Sequence, residues 1–124
     1  MKTTTRPYNI GAIGLRQAVA TTIKHGKDEV VTESIIVLPA NVLVTSVTTH
    51  VTEAFDKGGI NVGYGATLDD FVDDTDSIAA KETKNIAVYE VLSGTKEIKA
   101  KFKPDVSDEA TTGEATIIVE FIRM

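Results

Sequence analysis

The sequence predicts an all-β chain that folds as one antiparallel β-sandwich with seven to eight strands and one short helix. Thr, Val and Ile make up 43 of the 124 residues, whereas Leu contributes five. β-branched side chains lose rotamer freedom in helices and pack well on pleated sheets. Short apolar segments separated by turn residues are typical of sandwiches and barrels. Strands do not alternate with long helices, so a parallel sheet is not expected.

Two parts of the chain are distinguished by their pattern. Residues 1–13 predict an extended N-terminal arm in which Pro7 restricts the backbone. Residues 14–124 predict the single sandwich domain. A chain of this length buries about two-thirds of the surface that it exposes when unfolded, which is enough for a hydrophobic core without disulfides.

The first half of the domain predicts four strands. They cover residues 15–24, 29–38, 42–55 and 60–65. The apolar residues of the first segment are four apart, which leaves a helix open, but its Thr-Thr-Ile run favours a strand. In the third segment the apolar residues change parity, which indicates a β-bulge. Residues 25–28 predict a turn, and residues 56–59 predict a hairpin turn.

The middle of the chain predicts one short helix at residues 68–73. Thr67 and Asp70 have the spacing of a capping box, with Asp in place of the usual Glu or Gln. Residues 78–92 are ambiguous, because a strand at 86–92 is favoured but a helix over 79–91 stays open.

The clearest strand pattern lies at residues 96–103. Ile98, Ala100 and Phe102 are predicted to face inward and the intervening lysines outward. A polar loop at 104–113 follows, and the last strand is predicted at 114–123.

Charge and composition exclude several classes of function. The net charge of -5 opposes non-specific binding to nucleic acid. No apolar run approaches the roughly 20 residues that span a bilayer, and the N-terminus does not have the pattern of a signal peptide. We therefore expect neither nucleic-acid nor membrane partners. The absence of cysteine fits assembly in a reducing cytoplasm.

The acidic run at residues 69–76 is the strongest chemical signal. Asp70, Asp73 and Asp76 are the candidate ligands for a calcium ion. The run lacks the central glycine and closing glutamate of an EF-hand loop, so a solvated loop is favoured and no metal site is assigned.

Other patterns do not favour catalysis. The glycines at 58–65 alternate within a strand and no Gly-Lys-Ser/Thr follows, so they do not predict a phosphate loop. His25 and His50 are the only histidines, and no serine lies in a nucleophile elbow. Lys99, Lys101 and Lys103 form a basic stripe that is interpreted as a solvated face. The sequence therefore predicts a protein that is not an enzyme and has no cofactor.

One stretch, residues 42–71, resembles a known class of proteins. It contains Glu53-Ala54-Phe55 at the end of a long strand, then a glycine turn and a Val62-Gly63 pair, and then Asp69-Asp70-Phe71. This order resembles small jelly-roll or β-sandwich accessory proteins in the virions of tailed bacteriophages, such as capsid decoration (cement) proteins. The similar stretch covers about a quarter of the chain, and its motif is structural.

The resemblance implies a jelly-roll-like sandwich and a structural role in the virion. It implies binding to the major capsid protein or another virion protein, and self-association as dimers or trimers, after assembly in the host cytoplasm. The arm at 1–13 and the loop at 104–113 are the expected contact elements. The alternatives are a neck, tail or fibre-base component of the same virion, or a calcium- or carbohydrate-binding module. The sequence has no tryptophan, the usual platform for stacking sugars.

Overall fold

The computed structural model describes residues 15–26, 31–56, 58–66, 68, 70–72, 83–103 and 112–124. The predicted arm at 1–13 lies outside these residues. The described chain forms seven antiparallel strands, which confirms the all-β prediction: β1 (Arg16–Lys24), β2 (Val31–Leu38), β3 (Val42–Glu53), β4 (Gly59–Gly63), β5 (Thr83–Val91), β6 (Lys96–Lys103) and β7 (Glu114–Arg123).

The strands form two sheets. The four-stranded sheet has the order β1-β7-β3-β5, and the three-stranded sheet has the order β2-β6-β4. Among these seven strands, consecutive ones never pair, because every connection takes the chain from one sheet to the other. This alternation is typical of a jelly roll of two sheets. The edge of β4 carries one bridge, between Val62 and Val72, where an eighth strand would lie.

The hydrophobic core lies between the sheets. Inward and outward residues alternate along β7 and β6, as the sequence predicts. The inward side chains are almost fully buried: Ile98, Ala100, Phe102, Ala115, Ile117, Val119 and Phe121. Burial of one large apolar side chain contributes about 1.5–3 kcal/mol, so these two facing rows account for much of the stability of the fold.

The predicted bulge in the third strand is confirmed at Thr45. Val44 pairs with Phe121 and Ser46 pairs with Glu120, so Thr45 is an extra residue opposite β7. The bulge moves the inward positions from even to odd numbers, and Val47 therefore faces the core opposite Val119.

The helix predicted at 68–73 is not present in its described part. Leu68 has a φ of 56°, and residues 70 and 71 form bends. Val72 lies beside β4, where its amide and carbonyl groups bond with Val62. The spacing of Thr67 and Asp70 wrongly predicts a helix start, because the Asp70 carboxylate binds the backbone of the preceding turn.

The structure also tests the predicted hairpin at 56–59 and the ambiguous segment at 78–92. The hairpin predicted at 56–59 is wrong, because β3 and β4 belong to different sheets. The turn residues there serve a crossing between sheets, and such a crossing has the same local chemistry as a hairpin. The strand favoured at 86–92 is confirmed as β5, which begins earlier, at Thr83.

Candidate functional site

The loop after β4 is held by the side chain of Asp70. Its Oδ1 accepts hydrogen bonds from the backbone N–H groups of Tyr64 and Gly65, both at 2.7 Å. A Cβ atom at position 63 would overlap Asp70 Oδ1 and lie 2.7 Å from the Asp70 backbone nitrogen. Gly63 is therefore needed for the close approach of the two backbone segments.

The candidate calcium ligands are only partly described. Asp70 is exposed and one of its oxygens is committed to two backbone N–H groups. Asp73 and Asp76 lie outside the described residues, so calcium binding by the acidic run stays a prediction. Among the residues that the structure does describe, no group of three acidic or histidine side chains is close enough to hold a metal ion.

Tyr64 joins the two sheets at the side where β4 and β5 form the edges. Its hydroxyl donates a short hydrogen bond to Glu90 Oε2 on β5. The Lys96 ammonium lies 5.0 Å from the centre of the Tyr64 ring, and the Phe71 ring packs edge-on against it with centroids 5.6 Å apart. A phenol, a carboxylate and an ammonium group thus form one polar clasp between the sheets.

The ionisation of Tyr64 reflects this environment. The hydrogen bond to Glu90 is the main cause that raises the pKa of Tyr64 to about 12. Burial and the negative charges of Glu90 and Asp70 act in the same direction. The phenol therefore stays protonated, and keeps its donor, across the neutral range.

The Glu-Ala-Phe segment at the end of β3 fixes the start of β7. The Glu53 carboxylate accepts a hydrogen bond from the Gly113 N–H at 3.0 Å, and the Ala54 carbonyl accepts one from the Thr112 hydroxyl at 2.9 Å. Phe55 stacks on Phe102 with centroids 5.8 Å apart and covers Gly113. This segment, which the resemblance singled out, has a structural role in the described fold.

The outer face of the four-stranded sheet has a polar part. Glu120 accepts a hydrogen bond from Ser46 at 3.2 Å and lies 3.6 Å from the Arg16 guanidinium. Asn85 donates to Thr48 at 2.6 Å. These contacts link side chains on all four strands, so that this region of the face is satisfied internally.

An apolar row lies at one end of the same face. Leu43 pairs with Ile122 on one side and with Val91 on the other. Val91 is 50% exposed and the neighbouring Tyr89 is 67% exposed. Large apolar side chains are thus presented to solvent beside the polar region.

The basic stripe lies on the outer face of the three-stranded sheet. Lys99 and Lys101 are half-buried there, and Glu97 lies 3.5 Å from Lys99. The side chain of Lys103 is outside the described part. The acid within the stripe reduces its positive potential, which agrees with a solvated face.

The histidines and serines do not form a nucleophilic arrangement in the described residues. His50 Nδ1 shares a 2.6 Å hydrogen bond with the Thr83 hydroxyl, and His25 Nδ1 lies 3.1 Å from the Gly113 carbonyl. Ser34 and Ser46 donate to carboxylates. The described residues also contain no helix of the length and hydropathy that crossing a membrane requires.

Tyr64 and Glu90 form the arrangement that sequence reasoning missed. Twenty-six positions separate them along the chain, and no local pattern links a tyrosine to a glutamate over that distance. The only available signal was a glutamate within the otherwise apolar run at 86–92.

Comparison with known proteins identifies the fold. No family model matches the chain, and no curated protein sequence matches it. A chain of the capsid asymmetric unit of cyanophage Pam1 superposes with a TM-score of 0.68 at 13% identity, covering 99% of this chain and 94% of that one. A chain of the acid-stable capsid of Helicobacter pylori bacteriophage KHP30 superposes with a TM-score of 0.63 at 16% identity, covering 90% of each chain. The chain therefore shares its fold, over almost its whole length, with chains from two bacteriophage capsids.

Proposed function

We propose that this chain is a structural, non-enzymatic protein of a bacteriophage virion, and specifically a capsid decoration (cement) protein. The shared fold carries the proposal. The superposition on the cyanophage Pam1 chain leaves little of either chain unmatched. The neighbour is thus a capsid chain of similar size and not a domain within a much larger polypeptide.

The surface of the described chain supports a role in assembly. The polar side chains on its outer face are largely paired with one another, while exposed apolar groups lie at one end of that face. We infer that it binds the major capsid protein or another virion protein. We also infer that dimers or trimers multiply weak contacts across the shell.

The first test is quantitative mass spectrometry of purified particles from the source virus. A copy number close to that of the major shell subunit supports decoration. A few copies per particle would place the protein in the neck, tail or fibre base. Its absence from particles would refute the virion proposal. A calcium titration monitored by thermal melting would then test the acidic run, because a bound ion raises the melting temperature.

The arm at 1–13 and the loop at 104–113 are the proposed contact elements. Removal of residues 2–10 should weaken binding to shells that lack this protein, measured by co-sedimentation. The control is a chain in which residues 2–10 are replaced by a Gly/Ser segment of equal length. If both variants bind like the unaltered chain, the arm is not a contact.

A further inference from the structure

Of the seven described strands, four lie at sheet edges: β1 and β5 in the four-stranded sheet, and β2 and β4 in the three-stranded sheet. An edge strand presents unpaired N–H and C=O groups and is a template for a further strand. Proteins usually obstruct such edges with bulges, charges that point inward, short strands or covering segments.

Three of these edges are obstructed. β4 has only five residues, and Val72 occupies its outer edge through hydrogen bonds with Val62. β5 is interrupted by a bulge at Tyr89, whose φ is 50°. β2 has a register shift at Ile35, and Glu33 lies opposite the buried Ala100, on the core-facing side of the strand.

In the described part of the chain, the edge of β1 has none of these features. All nine of its residues pair with β7 in one unbroken register. Residues 17–23 include no charged residue, glycine or proline, and every second residue is exposed on the outer face. β-branched, uncharged segments of this kind favour strand addition.

A side chain of β1 also has an unused donor. The Gln17 side-chain nitrogen is buried and has no hydrogen-bond acceptor among the described residues. Gln17 lies opposite the inward-facing Phe121, so the amide is on the core side of the open edge. A buried donor without an acceptor is costly, so this amide marks an incompletely satisfied contact beside the edge.

We propose that β1 accepts an extended, acidic segment of a partner polypeptide as an additional strand. Charge identifies the partner. A second copy of β1, paired antiparallel about Ala20, would place Arg16 opposite Lys24, and opposed like charges destabilise a sheet. Residues 1–14 of a second copy carry two basic residues and no acid, and Pro7 removes a backbone donor. An acidic strand from another protein would place opposite charges beside Arg16 and Lys24, on the side away from Glu120 and Glu114 of β7.

The inference deepens the proposed function by naming the contact edge, and it can be tested without virus particles. The probe is the synthetic peptide Glu-Val-Thr-Ile-Ser-Val-Thr-Ile-Glu, which has the length of β1. The control peptide has lysine in place of both glutamates. Amide hydrogen exchange of the whole chain is followed by NMR at increasing peptide concentration.

The acidic peptide should slow exchange of alternate amides in β1, by about twofold when its concentration equals the Kd. The lysine peptide should have a smaller effect, and the amides of β5 should not respond to either. Val19→Lys places a charge on the inward side of the edge and should abolish the slowing, provided that exchange in β3 shows an intact fold.

Three results would overturn the inference: unchanged exchange in β1, equal slowing in β5, or equal slowing by both peptides. The peptide comparison uses the unaltered chain, so it remains decisive if Val19→Lys fails to fold. Failure to bind shells would contradict the proposed function and would leave the peptide result standing. The two ideas can therefore fail separately.

Discussion

Tyr64 connects the two sheets through side-chain contacts at the side where β4 and β5 lie. Its ring is held between Phe71 and the Lys96 ammonium, and its hydroxyl binds Glu90. Glu90 occupies an inward position of β5, since it pairs with the buried Val44. The carboxylate would therefore lose its partner at the core margin if the phenol were removed.

We expect Tyr64→Phe to lower the free energy of unfolding by about 1.5–3 kcal/mol, the usual contribution of a hydrogen bond to a charged group. Urea unfolding measures the change. Tyr89→Phe is the matched control, because the Tyr89 ring is 67% exposed, and it should change stability by less than about 0.5 kcal/mol. Equal effects of the two substitutions would mean that the hydrogen bond from Tyr64 to Glu90 does not stabilise the fold.

The same hydroxyl predicts a pH dependence. The pKa of Tyr64 is about 12 in the folded chain and 10.0 in its ordinary state. The folded state therefore holds the proton more tightly. This stabilisation is complete below a pH of about 10 and is lost as the pH rises through about 12. The stability difference between the unaltered chain and Tyr64→Phe should shrink over this window, and a constant difference would contradict the assignment.

Gly113 predicts a second effect at a single residue. Its φ is 142°, and a Cβ there would lie 2.7 Å from Phe55 Cε2. Gly113→Ala should destabilise the chain by at least about 2 kcal/mol, through backbone strain and displacement of Phe55. At Gly94 a Cβ meets nothing within 4 Å, so Gly94→Ala is the control. Thermal melting of both variants tests the difference, and equal melting temperatures would count against it.

Residue-level features were predictable only where the signal was local. The alternation at residues 96–103 correctly predicts which side chains are buried, because a strand has a period of two. The role of Asp70 was not predictable in this way. Its spacing from Thr67 matched a helix cap, whereas its carboxylate binds N–H groups five and six residues earlier. A short acidic side chain satisfies either kind of backbone donor.

At the scale of the element, β3 shows how a bulge sets the inward face. Val42 and Val44 face the core before Thr45, and Val47 and Val51 face it afterwards. The sequence predicts this bulge because the change of parity is visible without knowledge of the partner strand. The sheet to which β4 belongs was not visible, since the turn residues at 56–59 suit a hairpin and a crossing equally well.

Deletion of Thr45 should leave the chain folded, because Val44 and Val47 would then lie two positions apart and both would still face the core in a regular strand. Deletion of Thr48, beyond the bulge, should prevent folding or cost more than about 4 kcal/mol, because the residues on one side of it would turn to the wrong face. Thr45→Val is the control. It keeps the residue count and loses only the 3.1 Å hydrogen bond from the Thr45 hydroxyl to the Glu120 carbonyl, at about 1 kcal/mol. Circular dichroism and urea unfolding separate the two deletions. A Thr45 deletion as damaging as the Thr48 deletion would contradict the assignment of Thr45 as the extra residue.

At the scale of the molecule, the alternation of strands between sheets makes almost every pairing distant in sequence. β1 pairs with β7, at the other end of the described chain, and β3 lies between β5 and β7. Composition and alternation predict two antiparallel sheets, but not this order, because no local pattern records which strands become neighbours.

This topology predicts slow folding. Strands that are distant in sequence pair only after long loops close, and the entropy cost of closure comes before the contacts that compensate for it. Refolding should therefore take milliseconds to seconds, as in other β-sandwiches. Stopped-flow refolding from urea measures the rate. A relaxation in microseconds would contradict the expectation and would indicate structure that is already present in the unfolded chain.

The alternation of consecutive strands between the two sheets has a mechanical consequence. The seven described strands are joined in sequence by six connections, and each connection leads from one sheet to the other. A load that pulls the sheets apart is shared by polypeptide bonds as well as by the apolar contacts between them. Because no two consecutive strands among the seven described ones form a hairpin, these strands cannot separate one hairpin at a time. Tension applied to one face is therefore transmitted through the backbone to the other face.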